Sequence, residues 1–199
     1  MITEHYIGRP PSHFQMNPLV KAFIVSEAFL WAAWNFITPI FGLFVVNHIN
    51  GGNIEIVAFT FSFYLITRVI VELIASRKML NFSDKKKIKI TIFGLILISL
   101  SYIGFAYSSQ IYQLFAMYCL TGIGLGIATP AKNSLFSSHL DKDKEPQEWG
   151  TYDAITFIGM ALATALGGFI ASQYGFQNLF FAASIVNGLG IIPYIISIR

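Results

Sequence analysis

The chain has 199 residues, of which 55% are hydrophobic and only 12% are charged, whereas a typical soluble domain has about 25% charged residues. The composition therefore indicates an integral membrane protein. The formal net charge of +3 does not by itself indicate a kind of partner. We expect no nucleic-acid partner. The single cysteine, Cys119, excludes an intramolecular disulfide and a multi-cysteine metal site.

The chain begins with a segment that we interpret as a short polar tail, residues 1–17, and not as a cleavable signal peptide. A helix that crosses about 30 Å of hydrocarbon needs about 20 mostly apolar residues. Six segments meet this requirement: 18–46, 54–75, 88–107, 111–136, 150–171 and 179–198. The prediction is thus an all-α protein with six membrane spans joined by short loops.

The lysines and arginines predict the orientation in the membrane. Eleven of the 13 fall in the tail and the start of the first span, in the second-to-third and fourth-to-fifth loops, or at the C-terminal end. The other three loops carry none. We therefore expect both termini in the cytoplasm and a multi-pass protein of the plasma or inner membrane.

The two halves of the chain share short sequence matches. The tripeptide Ile-Ala-Ser occurs at 74–76 and at 170–172, and a Thr-Pro pair occurs at 38–39 and at 129–130. We expect two three-helix repeats, 18–107 and 108–199, in a single membrane domain. Because three spans is an odd number, the second repeat would be inverted relative to the first, as in many transporters.

The fifth span contains a run of small residues, GMALATALGG. Gly159, Ala163 and Gly167 repeat every four residues, and Gly168 lies on the neighbouring face. Small residues let helix backbones approach closely in a membrane, where packing drives helix association. The run predicts either static packing inside the chain or an interface that moves.

The second half of the sequence, 122–180, resembles the major facilitator superfamily. Gly159, Ala163, Thr164, Gly167 and Gly168 fall on that family's antiporter signature, G-x-x-x-G-P-x-x-G-G, with alanine and threonine replacing the second glycine and the proline. The segment GGFIASQYGFQNLF resembles the turn that follows the fifth and eleventh helices of the family. The loop after the second span is basic but lacks the glycines and the Asp-Arg pair of the family's other signature.

This resemblance implies a transporter fold with one six-helix half in place of the usual two. It implies a homodimer about a twofold axis along the membrane normal, because the solute lies between two halves. In the family the second and fifth helices of a half contact the other half. The dimer-interface candidates are therefore Gly159, Ala163, Gly167 and Gly168.

Five ionisable residues lie within the predicted spans, where each costs about 2.5–3.5 kcal/mol near a helix centre and needs a partner or a water-filled cavity. They are Glu27, Arg68, Glu72, Lys132 and Asp153. Similar depths predict a Glu27–Arg68–Glu72 cluster, and Lys132 and Asp153 could pair across the fourth and fifth spans. These residues either hold helices together or couple transport to protons and close a gate.

The candidate substrate contacts are polar and aromatic residues of the first and fourth spans, which line the cavity in the family. They are Trp31, Trp34, Asn35, Thr38, Tyr118, Thr121 and Asn133. Their alternative role is packing.

We therefore expect a secondary active transporter of a small solute, working by alternating access as a proton-coupled homodimer in a lipid bilayer. Two alternatives stay open: a membrane scaffold or assembly subunit without transport, and one half of a heterodimeric transporter. No nucleophile–base pair or phosphate-binding loop is present in the sequence. We therefore expect no enzymatic activity, no cofactor and no metal.

Overall fold

The computed structural model describes residues 16–197, which form a helical bundle. The predicted tail lies outside this range except for Met16 and Asn17, and so does residue 198 of the predicted sixth span. The helices are α1 (Pro18–Ile37), α2 (Phe41–His48), α3 (Ile54–Lys78), α4 (Asp84–Ala106), α5 (Ile111–His139), α6 (Glu145–Leu189) and α7 (Ile192–Ser197). Within the described range, β structure is limited to one isolated bridge between Asn50 and Gln110.

Five helical segments are long and apolar enough to cross a membrane: Pro18–His48, Ile54–Lys78, Asp84–Ala106, Ile111–His139 and Glu145–Ser197. The last has 53 residues, or about 80 Å at 1.5 Å per residue, well over twice the hydrocarbon thickness. Its backbone is non-helical at Gly175, with φ 83° and ψ 168°. The all-helical membrane fold is confirmed. The count of six spans stays a prediction, which the break at Gly175 supports.

The sequence marks several helix ends by capping residues. Leu19 N–H donates to Asn17 Oδ1 and Ile56 N–H donates to Asn53 Oδ1, both at 2.9 Å, so asparagine side chains cap α1 and α3. The Thr38-Pro39 pair lies in a 3₁₀ turn between α1 and α2, because proline cannot donate the hydrogen bond that a continuous α-helix requires.

We call the end that carries the connections 79–83 and 140–144 the basic end, since Arg77, Lys78 and the lysines between 85 and 89 lie beside it. The opposite end carries the connections 49–53 and 107–110 and the break at Gly175. An aromatic core fills the bundle near this opposite end. Its rings come from Phe41, Phe44, Phe105, Tyr118 and Phe180, with centroids 4.8–6.5 Å apart.

Helix α5 lies between α3 and α4, and glycines make both contacts close. A Cβ atom added at Gly126 would lie 2.9 Å from Arg68 O on α3, and one added at Gly124 would lie 2.8 Å from Gly94 O on α4. A Cβ at Gly94 would lie 2.5 Å from Gly124 O. Glycine is therefore required on two faces of α5, because any larger residue would push a neighbouring helix away.

The small residues of α6 pack against α1 of the same chain. A Cβ added at Gly167 would lie 2.4 Å from Phe36 O, and one at Gly159 would lie 3.5 Å from Ala28 O. Ala163 is buried in the same seam. Ala163 and Gly167 are buried and Gly159 is half-buried, so these small residues pack inside the chain, and their role in a dimer interface stays a prediction. Gly168 is exposed, and an added Cβ there would meet open space, so its interface role stays a prediction.

Polar side chains hold α4 against α6. Asn187 is fully buried, and its Nδ2 donates to Leu95 O and to Ser99 Oγ, each at 2.8 Å. Ser184 Oγ donates to Ser99 O at 3.0 Å. Such interhelical hydrogen bonds stabilise helix packing in membranes.

Candidate functional site

A buried ion pair joins α1 to α5 inside the bundle. Lys132 Nζ lies 2.5 Å from Glu27 Oε1, and both side chains are about 5% exposed or less. Glu27 lies nine residues into α1 and Lys132 seven residues before the end of α5, which is about 10–14 Å from the helix ends at the basic end. Because the two charges compensate each other, the pair can exist in a membrane span.

The Glu27 carboxylate has a second donor. Trp31 Nε1, one helical turn further along α1, donates to Glu27 Oε2 at 3.2 Å. Both oxygens of the carboxylate are therefore engaged, one by a cation and one by a neutral N–H group. The carboxylate is thus held both by α5 and by the next turn of α1.

A second ion pair lies along α3. Arg68 Nε lies 3.4 Å from Glu72 Oε2, and Arg68 Nη1 donates to Tyr64 Oη at 3.2 Å. The four-residue spacing predicts this Arg68–Glu72 pair. The inclusion of Glu27 in the same cluster is wrong, because the Glu27 carboxylate binds Lys132 of α5.

The expected pairing of Lys132 with Asp153 is also wrong. Lys132 is engaged by Glu27, and Asp153 is exposed on α6. Depth along a helix axis can be counted from the sequence, but the direction of a side chain around the axis cannot. Residues at matching depths therefore do not have to meet.

An aromatic cavity of about 220 Å³ lies toward the opposite end, between α1, α2, α3, α4 and α5. Its walls are formed by Trp34, Ile37, Thr38, Phe41, Gly42, Val57, Phe61, Tyr102, Phe105 and Tyr118. Three of the seven predicted substrate contacts, Trp34, Thr38 and Tyr118, are among them. No charged side chain lines the cavity, so it suits an apolar or aromatic group.

The other four predicted contacts lie elsewhere. Trp31 binds Glu27, and Asn35 Nδ2 donates to Trp31 O at 2.9 Å. Thr121 is fully buried, and its Oγ1 donates to Ser101 Oγ at 2.7 Å in the α4–α5 contact. Asn133 is exposed. For Thr121 the alternative role, helix packing, is the one that its contacts show.

Two further cavity residues, Tyr102 and Phe105 of α4, are not among the predicted substrate contacts. Both are only 2% exposed. The family resemblance directs attention to the first and fourth spans, whereas α4 is the third. Two bulky aromatics three residues apart, which place their side chains on one helix face, are the signal that could have found them.

The arrangement defines a polytopic helical membrane protein with an intramembrane ion pair and an aromatic cavity. Within residues 16–197, no group of three or more His, Cys, Asp or Glu side chains is placed to hold a metal ion. The chain belongs to the Major Facilitator Superfamily, a family of transporters whose family model matches residues 23–198.

Two curated relatives match parts of the chain. The bacillibactin exporter of Bacillus subtilis (strain 168) is 32% identical over 80 residues, which cover 40% of this chain and 20% of the relative. The proton-coupled antiporter flippase LtaA of Staphylococcus epidermidis (strain ATCC 35984) is 23% identical over 94 residues, covering 47% of this chain and 24% of the relative.

The fold is similar to that of a solved transporter. The in meso crystal structure of the POT family transporter PepTSo superposes with a TM-score of 0.70 at 13% identity, covering 92% of this chain and 38% of that chain. The similarity extends over almost the whole chain but over well under half of the solved protein, so it establishes the fold of one part of such a transporter.

Proposed function

We propose that the chain forms one half of a secondary active transporter that moves a small solute by alternating access. The observation that carries this proposal is the Glu27–Lys132 pair, an acid and a base buried together inside a membrane span. Ionisable residues at such depth are costly, and they mark ion and substrate pathways. Membership of the Major Facilitator Superfamily supports the same conclusion.

We infer that Glu27 couples transport to protons. Protonation of Glu27 would cancel its attraction for Lys132 and leave a buried cation that has to move or find an anion. Deprotonation would restore the pair and draw α1 and α5 together. The pair therefore supplies two states that differ in charge. One relative carries the name proton-coupled antiporter flippase, which agrees with this inference.

We further propose that a second six-helix unit completes the solute pathway, either as a second copy of this chain or as a different partner. Arg68 and Glu72 support this proposal, because their side chains are 26% and 34% exposed at positions 14 and 18 residues after the start of the 25-residue α3. A charged pair so placed is disfavoured against lipid, and a facing protein unit or water-filled pathway would stabilise it. By the positive-inside rule, the basic end faces the cytoplasm.

Reconstituted vesicles test the transport proposal without knowledge of the solute. Vesicles with or without the protein are incubated with a small-molecule cell extract, and the contents are measured by mass spectrometry. We expect at least one solute to accumulate with an imposed pH gradient and not without it. The absence of any protein-dependent solute would contradict the proposal and favour a scaffold role.

A pair of carboxylate variants tests whether Glu27 couples transport to protons. Glu27→Gln should abolish gradient-driven accumulation, whereas Glu55→Gln, which neutralises an exposed carboxylate in the first turn of α3, should leave it unchanged. A monodisperse profile on size-exclusion chromatography shows that the Glu27 variant is still folded. Wild-type accumulation by Glu27→Gln would refute the proton role.

The mass of the purified protein in detergent tests the second unit. A mass of twice the chain supports the homodimer. A monomer that transports solute would contradict the need for a second unit, and a requirement for an added six-helix protein would identify a heterodimer.

A further inference from the structure

A groove lies between α3 and α4 at the basic end of the bundle. Both helices pack on α5, which lies between them, and the groove between them encloses about 360 Å³. Ala75 and Met79 are buried in it, whereas Ile74 and Phe93 are exposed. The groove is therefore accessible from outside the bundle. Its lining residues are Val71, Ile74, Ala75, Lys78, Met79, Phe82, Ile90, Phe93 and Ile127.

The groove is apolar inside the membrane span and carries a cation at the membrane boundary. Val71 lies seven residues before the end of α3 and Phe93 nine residues after the start of α4, so the groove extends about 10–14 Å into the span at 1.5 Å per residue. Eight of its nine lining residues are apolar. The ninth, Lys78, is the last residue of α3. An apolar length that ends at a cation matches the two parts of an anionic lipid.

A second lysine lies beside the same groove. Lys86 Nζ of α4 lies 3.5 Å from the centroid of the Phe82 ring, and Phe82 lines the groove. Within residues 16–197, neither Lys78 nor Lys86 belongs to an ion pair. Lys87, by contrast, donates to Ser134 Oγ at 2.8 Å. Two lysines, one from each helix, can therefore accept an external anion at the groove.

We propose that this groove binds an anionic phospholipid, with part of one acyl chain against the apolar walls and the phosphate of the headgroup at Lys78 and Lys86. Basic pockets between membrane helices bind acidic headgroups, and each lysine near the surface contributes about a fivefold gain in affinity. The inference concerns a bound lipid and not the transported solute, so it does not depend on the proposed function.

Lipid titration followed by native mass spectrometry of the purified chain tests the inference. Phosphatidylglycerol and phosphatidylcholine with identical acyl chains differ in net charge. We expect one phosphatidylglycerol to bind per chain, about 25-fold tighter than phosphatidylcholine, since two lysines each contribute about fivefold. Glycerol phosphate, which has the anion without the chains, should not displace the lipid at an equal concentration.

Two double variants with the same change in net charge test the role of the lysines. Lys78→Gln with Lys86→Gln should weaken phosphatidylglycerol binding about 25-fold, because both cations beside the groove are lost. Lys85→Gln with Lys89→Gln removes two exposed lysines of α4 that do not line the groove. This control should bind phosphatidylglycerol close to the wild-type affinity.

Two phenylalanine variants test the role of the apolar walls. Phe93 lines the groove, whereas Phe59 lies near the opposite end of α3, and both are 56% exposed. Phe93→Gln should weaken phosphatidylglycerol binding, because it places an amide against the acyl chain. Phe59→Gln should have no effect. A monodisperse profile on size-exclusion chromatography shows that each variant is folded.

Three results would overturn the inference. Equal binding of the two lipids would show that the lysines do not select an anion. Equal losses in the two lysine variants, or displacement by glycerol phosphate, would indicate attraction to the basic surface as a whole and not to the groove. A loss of dimer mass in Phe93→Gln with unchanged lipid binding would assign the groove to a second protein unit.

Discussion

Substitution of Gly167 by alanine tests the packing of α6 on α1. The added Cβ would lie 2.4 Å from Phe36 O and 2.9 Å from Phe36 Cα, whereas ordinary contacts at such a position begin at 3.4 Å. Because both clashing atoms are backbone, no side chain can move aside. The two helices would have to separate by about 1 Å, and a gap of about 0.5–1 Å forfeits a quarter to a half of the dispersion energy at each contact.

Gly168→Ala serves as the control that separates the packing cost of Gly167→Ala from its other effects. Overpacking of a helix contact typically costs about 1–3 kcal/mol. Gly168→Ala places its methyl group in open space on the same helix, and both substitutions gain the same helix propensity, about 1 kcal/mol. The difference in free energy of unfolding between the two variants is therefore the packing cost alone. Gly159→Ala, whose Cβ would lie 3.5 Å from Ala28 O, should resemble Gly168→Ala.

Thermal unfolding in detergent measures this difference. Cys119 is the single cysteine and is half-buried in α5, so a fluorogenic thiol reagent reports its exposure on unfolding. At about 2–4 °C per kcal/mol for a chain of this size, Gly167→Ala should unfold about 2–12 °C below Gly168→Ala. Equal unfolding temperatures would refute the close α1–α6 seam.

Three further predictions use the same assay. Gly175→Ala should lower stability by about 1–3 kcal/mol, because the positive φ of Gly175 strains other residues; an unchanged unfolding temperature would argue for a continuous helix. Asn187→Ala should cost about 1–3 kcal/mol, since two buried interhelical hydrogen bonds are lost, whereas Asn178→Ala, which breaks only a bond within α6, should have little effect. Glu27→Gln and Lys132→Met should each cost about 3–5 kcal/mol, with the double variant losing less than the sum; additive losses would show that the two side chains do not interact.

The sequence was sufficient to predict the helices, because the membrane imposes both length and apolarity on each span. The predicted second span, 54–75, corresponds to α3, Ile54–Lys78, and the fourth, 111–136, to α5, Ile111–His139. The gap predicted between residues 171 and 179 contains the break at Gly175, whereas the 3₁₀ turn at Thr38–Ile40 interrupts a span, 18–46, that was predicted to be continuous. These signals are local, so they can be read from one stretch of chain at a time.

The site was predicted only in part, because its contacts depend on how helices are rotated against one another. Arg68 and Glu72 are on one helix, and their spacing predicts their contact. Glu27 and Lys132 are 105 residues apart on different helices, and nothing in the spacing selects that pairing over Glu27 with Arg68. The small-residue run of α6 likewise indicates close packing but does not indicate which helix it contacts.

The alternation of glycines along α5 has a consequence for how this protein can change over evolutionary time. Gly122 and Gly126 face α3, while Gly124 faces α4, so almost every second position in this stretch meets a neighbouring backbone or side chain. In a deep mutational scan, such a segment would tolerate few substitutions even though none of its residues belongs to an ion pair or lines the cavity. Intolerance there would reflect helix geometry, and solute specificity could diversify only through residues outside it.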